Sequence, residues 1–217
     1  MKDWARYLTV VEALAFSAIV ALFIWRWQTA YRMSWIIFPV WLIASFLIHR
    51  DTPKTLGWRG DNLWPATRQG LPFFAACVAA VSLTGLMLGA LQHLPARLID
   101  ERRFVGYFSF CLLQQIAVNS YLMNRFLSSI QTKWTSALLA SAIFGAVHWP
   151  NPVLVPITFL GGFAMCLLFA EQRNILPLTL GQSVLGGLIW WAFPMSWHHS
   201  MRVGPGYWSF AQRLVTW

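Results

Sequence analysis

The stretch Phe104–Phe126, FVGYFSFCLLQQIAVNSYLMNRF, is long enough to cross a membrane yet carries amide side chains in its middle, Gln114, Gln115 and Asn119. A bilayer core is about 30 Å thick, so a spanning helix needs roughly 20 mostly apolar residues. Polar side chains at that depth are costly and face other helices or a cavity. Gln115 and Asn119 are four apart and share one helix face. Gln114 lies about 100° round the helix from Gln115, on the flank of that face. Two later apolar segments each bring one polar group to a similar depth, His148 in FGAVH and Gln182 in LGQSVLGG. The expectation is that these groups meet inside a helix bundle whose wall is the rest of the chain.

Composition supports that setting. Of 217 residues, 58% are hydrophobic and only 11% charged, and apolar runs near membrane length recur along the chain. This describes an all-α, polytopic membrane helix bundle of about seven transmembrane helices. The strands of a membrane β-barrel alternate, and these runs do not. The net charge of +9 sits in short loops beside apolar spans. It fits anionic lipid headgroups and topology setting, and it offers no nucleic-acid recognition element. Membrane lipids are therefore the expected partners. Cys77, Cys111 and Cys166 all lie in apolar runs and form no C-x-x-C. That leaves no common zinc or redox spacing, so no metal and no cofactor are expected. Cys111 lies close enough before Gln114 and Gln115 to border the same cavity, but a nucleophilic role needs an activating base.

The spans expected in order are Leu8–Trp25, an uncleaved anchor ended by Arg26, then Ser34–Ile48, Leu71–Leu94, Phe104–Phe126, Ser136–His148, Val153–Ala170 and Ile175–Phe193. His49–Gly70 reads as the longest polar loop. Trp149-Pro150-Asn151-Pro152 stops the fifth helix, because proline breaks the ladder and disfavours helix before it. The whole chain, 1–217, reads as one transmembrane domain, with a core at 104–193 and a surface-associated tail at 194–217. Glu12, early in the first span, fits a snorkelling or interfacial position. Ser141 with Gly145, Gly161, Gly162, and Ser183 with Gly187 are small residues that let membrane helices approach closely. Cationic residues favour the N-terminal side of this count, hence a cytoplasmic N terminus.

The block Leu113–Gly187 resembles the CAAX-prenyl-protease and bacteriocin-processing family of intramembrane proteases. That family carries Glu-Glu-x-x-x-Arg, then Phe-x-x-x-His, then His-x-x-x-Asn (or Asp) on successive helices. This chain reads Gln114-Gln115-x-x-x-Asn119, then Phe144-x-x-x-His148, then Gln182-x-x-x-Gly186. Ser120-Tyr121-Leu122, the Pro150–Pro152 turn and the turn Glu171–Pro177 extend the likeness. The resemblance implies an intramembrane endopeptidase of the bacterial inner membrane. In it, the first motif's glutamate and the two histidines activate a water, and the asparagine stabilises the oxyanion.

The departures fall on those chemical residues. A glutamine amide is not basic, so Gln114 and Gln115 remove the expected base. Gln182 removes one imidazole and Gly186 the oxyanion donor, leaving Phe144 and His148. One imidazole falls short of the three protein ligands of a catalytic zinc site. Neutral amides cost less to bury than charges and can bond one another across helices. The reading is a non-hydrolytic member, its cavity lined by Gln114, Gln115, Asn119, Phe144, Gln182 and Gly186. The cavity would bind a membrane peptide, lipid or partner protein. The alternative is an active endopeptidase rewired around His148, the one candidate catalytic residue, with Glu12 or Cys111. A transporter is disfavoured by few intramembrane charges and no clear internal repeat.

Overall fold

A computed structural model describes residues 3–31, 33–89 and 100–215. These residues are helical throughout, joined by turns, with no strand among them. The long elements are α1 (Asp3–Leu22), α2 (Ile37–Ile48), α3 (Leu63–Met87), α4 (Glu101–Gln115), α5 (Asn124–Ile130), α6 (Lys133–Ala146), α7 (Leu154–Gln172), α8 (Leu176–Ala192) and α9 (Pro205–Val215). A π-helical segment, Ile116–Met123, joins α4 to α5 without a break, and a second, Phe23–Trp27, extends α1.

Among the described residues, three helices are long and apolar enough to cross a membrane: Trp4–Ala30, Leu63–Met87 and Leu154–Gln172. A fourth span is obtained if Leu176–Ala192 is taken with Met195–Met201 across a 118° bend. The helix bundle is as expected, while the count of about seven spans is not reached on length and apolarity among the described residues. The α4–α5 helix carries the interior amides, and Ser34–Ile48 is short.

Local chemistry sets the boundaries. Asp100 caps α4, its Oδ1 accepting from the Arg103 amide at 3.0 Å, which satisfies an otherwise orphaned donor. Left-handed Gln131 (φ 63°) ends α5 and left-handed Arg173 (φ 49°) ends α7. The third span departs from expectation: it starts at Leu63, inside the supposed loop His49–Gly70, and ends at Met87. Pro65 suits a first helical turn, where the missing N–H has no intrahelical partner to lose. Arg68 sits within the helix, as a long cationic side chain near a helix end can. Residues 90–94 of the expected span lie outside the described residues. The expected loop also holds a short helix, Pro53–Leu56, closed by left-handed Gly57 (φ 80°).

The fifth helix starts earlier and stops sooner than expected. It ends at Ala146, and His148 sits in the turn beyond it. Asn151 organises that turn. Its Oδ1 accepts from the Val153 and Leu154 amides, opening α7, while its Nδ2 donates to the His198 and Arg202 carbonyls. One buried side chain thus ties the tail back onto the α6–α7 corner. α6 and α7 pack closely because Gly145 lies against Phe159 and Gly162 against Phe144, the role expected of small residues between membrane helices. Tyr121, Met123, Phe126, Phe169 and Ile175 are fully buried and form the central core.

Candidate functional site: an interior amide chain beside a buried ion cluster

The interior amides bond to one another. Gln182 Nε2 donates to Gln114 Oε1 at 2.6 Å. Gln115 Nε2 donates to Gln182 Oε1 at 2.6 Å and reaches Met165 Sδ at 3.4 Å. Asn119 Nδ2 donates to Gln115 Oε1 at 2.5 Å. The result is a directed chain from Asn119 to Gln114 that stitches α4 and its π extension to α8. Gln115 and Asn119 are buried, and Gln114 and Gln182 partly so. At the inner end, Asn119 Oδ1 is buried without a hydrogen-bond partner. A buried, unpaired acceptor of this kind costs about 1–3 kcal/mol.

His148 is buried too, but its Nδ1 lies 2.6 Å from the Phe144 carbonyl and its ring meets Phe144 edge-on at 4.9 Å. With Nδ1 donating to that carbonyl, the ring is held as one tautomer with its lone pair on Nε2. No hydrogen bond joins it to the amides among the described residues. Gly186, one turn beyond Gln182, has no room for a side chain: a Cβ there would overlap the Tyr107 hydroxyl.

A second polar centre, not anticipated from the sequence, lies near the other end of the same helix. Glu12 of α1 accepts through Oε1 from Ser45 at 2.5 Å and Tyr121 at 3.1 Å, and its Oε2 lies 2.8 Å from His49 Nε2. Arg125 donates to Ser45 Oγ through Nε and Nη2 at 3.1 and 2.9 Å, and to Asp51 at 2.6 Å. Its Nε stands 3.8 Å from Glu12, and its guanidinium lies over the Phe46 and Tyr121 rings. Trp41 completes the group by donating to the Tyr121 hydroxyl at 3.0 Å. Glu12 is therefore not a lipid-facing snorkeller; it ties α1 to α2 and α5. Asn119 and Tyr121 are two residues apart, so they point to roughly opposite sides of their helix. π-helical segments are often found at functional sites.

A third set of bonds fastens the Thr55–Asn62 segment to the end of α7. Ser120 Oγ donates to the Leu56 carbonyl at 2.5 Å, Asn124 to the Thr55 carbonyl at 2.8 Å, and Asn174 to Arg59 O and Asn62 Oδ1, each at 2.9 Å. Arg173 bonds Asn124 and the Thr55 carbonyl. Burial pulls its guanidinium below the ordinary arginine range, and Asp51 opposes that shift. The signal missed for these sites was depth: Glu12 and Arg125 are lone charges at the ends of apolar runs, where a partner on another helix is the natural expectation.

Residues 102–186 match a family model described as Rce1-like, type II CAAX prenyl endopeptidase Rce1-like. Over these residues the chain is similar to the CAAX-protease-like membrane family. The match takes in Gln114, Gln115, Asn119, Phe144, His148 and Gln182 and ends at Gly186. No curated protein and no solved structure matches the chain significantly. The match to a membrane family and the apolar helices together indicate an integral membrane protein. Among the described residues, no group of three His, Cys, Asp or Glu side chains is arranged to hold a metal ion.

Proposed function

We propose that this chain is a non-hydrolytic CAAX-protease-like protein of a bacterial inner membrane, binding a membrane peptide, lipid or partner protein at the former catalytic interior without cutting it. The observation that carries this reading is the amide chain itself. Gln114, Gln115 and Gln182 stand where the resemblance calls for carboxylates and an imidazole, and they bond to one another. An amide neither takes a proton from water nor carries the charge that would orient a basic partner. The crowding of Gly186 by Tyr107 also leaves that position without an oxyanion donor. The orphaned Asn119 oxygen favours binding over a purely structural role, because a bound donor would satisfy it.

The rewired-enzyme alternative needs a base beside His148. Glu12 instead commits both oxygens to Ser45, Tyr121 and His49, which counts against it.

The test is binding of a fluorescent hydrophobic peptide ending in a CAAX sequence, by anisotropy, to the chain in lipid nanodiscs. Saturable binding of an intact peptide, weakened by Gln115→Leu, is expected. Binding no better than to empty nanodiscs would overturn the peptide reading.

A further inference from the structure

The amide chain has a direction, and Met165 fixes it. An amide turns its oxygen or its nitrogen to a neighbour according to what that neighbour can give or accept. A thioether sulfur has no proton to give. Met165 Sδ, buried on α7, lies 3.4 Å from the Gln115 amide, so the atom facing it is Nε2 and not Oε1. The same Nε2 donates to Gln182 Oε1, which leaves Gln182 Nε2 to donate to Gln114 Oε1. Among the described residues that accepted bond is the one hydrogen bond of the Gln114 side chain, so both Nε2 protons are unused. Gln114 is partly exposed, and Phe110, one turn before it on the same face of α4, is 53% exposed. The chain of amides thus ends in a donor on a helix face that the described residues do not close over.

Depth narrows what can meet that donor. The helix runs unbroken from Glu101 to Ile130. Gln114 stands roughly 20 Å from either end, and its partner Gln182 sits near the middle of α8. We propose that Gln114 Nε2 docks the backbone of a transmembrane peptide, donating to a main-chain carbonyl that a proline has freed at mid-membrane. This rests on the binding role given above and names the ligand group. The site offers protons and no charge, so its partner is a neutral acceptor. Phospholipid ester carbonyls lie at the edge of the hydrocarbon core, about 15 Å from its middle. The carbonyls of an intact helix are bonded within the helix. Proline leaves the carbonyl four residues before it without its amide partner. Such a carbonyl is deep, neutral and costly to leave bare in hydrocarbon, as is the Gln114 donor.

The test uses two Leu/Ala transmembrane peptides, one with a central Pro and one with Ala in its place. Each is reconstituted with the full chain in phospholipid vesicles, and association is followed by energy transfer. The unmodified chain should bind the Pro peptide about three- to tenfold tighter, the contribution of one hydrogen bond. Gln114→Met keeps the side-chain length and a sulfur acceptor toward Gln182 but has no donor. It should bring both peptides to the weaker affinity. A second readout needs no variant: an isotope label on the freed carbonyl should move its infrared band to lower frequency when the Pro peptide meets the unmodified chain. Equal affinity for the two peptides, a preference that survives Gln114→Met, or an unmoved band overturns the assignment. Replacing ester-linked by ether-linked phospholipid should leave the melting temperature of the unmodified chain where it is, relative to Gln114→Met. A fall confined to the unmodified chain would give Gln114 to a lipid ester and overturn the peptide assignment. Association of neither peptide would sink the peptide-binding role and this contact together. Equal association of both would leave that role standing and refute the carbonyl contact alone.

Discussion

Arg125→Met puts the buried ion cluster to the test. The Arg125 side chain is 3% exposed, against 25% for Glu12 and 12% for Asp51. Methionine has similar reach and no charge, so the hole is small and the electrostatic loss dominates. It strips Asp51 of its 2.6 Å partner and leaves two carboxylates facing each other's field with only His49 beside Glu12. Removing one partner of a buried pair costs about 3–5 kcal/mol. The partial exposure of Glu12 puts this case near the lower figure, about 3 kcal/mol. At about 2–4 °C per kcal/mol for a chain of this size, the melting temperature in nanodiscs should fall by roughly 6–12 °C. Arg125→Lys should recover only part of the loss, because an ammonium cannot bridge Ser45 and Asp51 as the guanidinium fork does. Adding Glu12→Gln to Arg125→Met should cost less than the sum of the two changes, because it removes one of the stranded carboxylates. A drop under about 3 °C for Arg125→Met, equivalent to about 1 kcal/mol, would show that the cluster is solvated and that the assembly of α1 and α2 onto α5 does not rest on it.

Gln115→Leu should cost about 1–3 kcal/mol by thermal unfolding, because it leaves Gln182 Oε1 and Asn119 Nδ2 without their partners; a neutral effect would mean that the amides are bridged by water instead. Gly57→Ala should destabilise by about 1–3 kcal/mol, since position 57 has φ 80° and a Cβ there would lie 2.6 Å from the Phe169 ring; a stabilising result, read from the same melts, would refute that backbone. Elemental analysis of protein purified without chelators should find no stoichiometric zinc, because one imidazole beside neutral amides is a poor site; about one zinc per chain would refute this.

The helices themselves were legible in the sequence because apolar runs and membrane thickness are local facts. The bonding of Gln114, Gln115, Asn119 and Gln182 to one another was legible as well, because interior amides in a membrane must find one another or water; His148, expected among them, bonds the Phe144 carbonyl instead. Other features depend on partners distant in the chain. Glu12 read as interfacial because nothing near it in sequence signals Ser45, Tyr121 or Arg125. Gly186 read as a missing oxyanion donor, and only the packing of α4 on α8 brings Tyr107 over it. The early start of α3 was hidden by Arg68, whose charge argues for a loop when the helix end allows its side chain to reach water. The π-helical turns of Ile116–Met123 have no local sequence mark at all. His148 was expected on a helix, but Pro150 and Asn151 convert the end of α6 into turns two residues sooner.

The central proposal is that this CAAX-protease-like interior binds and does not cut. General-base help is typically worth about 10²–10⁴-fold in rate, and one oxyanion donor about 10²–10³-fold; of the residues that the family resemblance assigns to both, the glutamate, one histidine and the oxyanion donor are replaced here, and His148 is kept. The most direct measurement is a mass-spectrometric time course of a CAAX-type peptide incubated with the unmodified chain in nanodiscs, run beside His148→Ala. The account predicts intact peptide in both reactions, at the level of empty nanodiscs. Cleavage by the unmodified chain that His148→Ala abolishes would contradict it and place a working catalytic centre at His148.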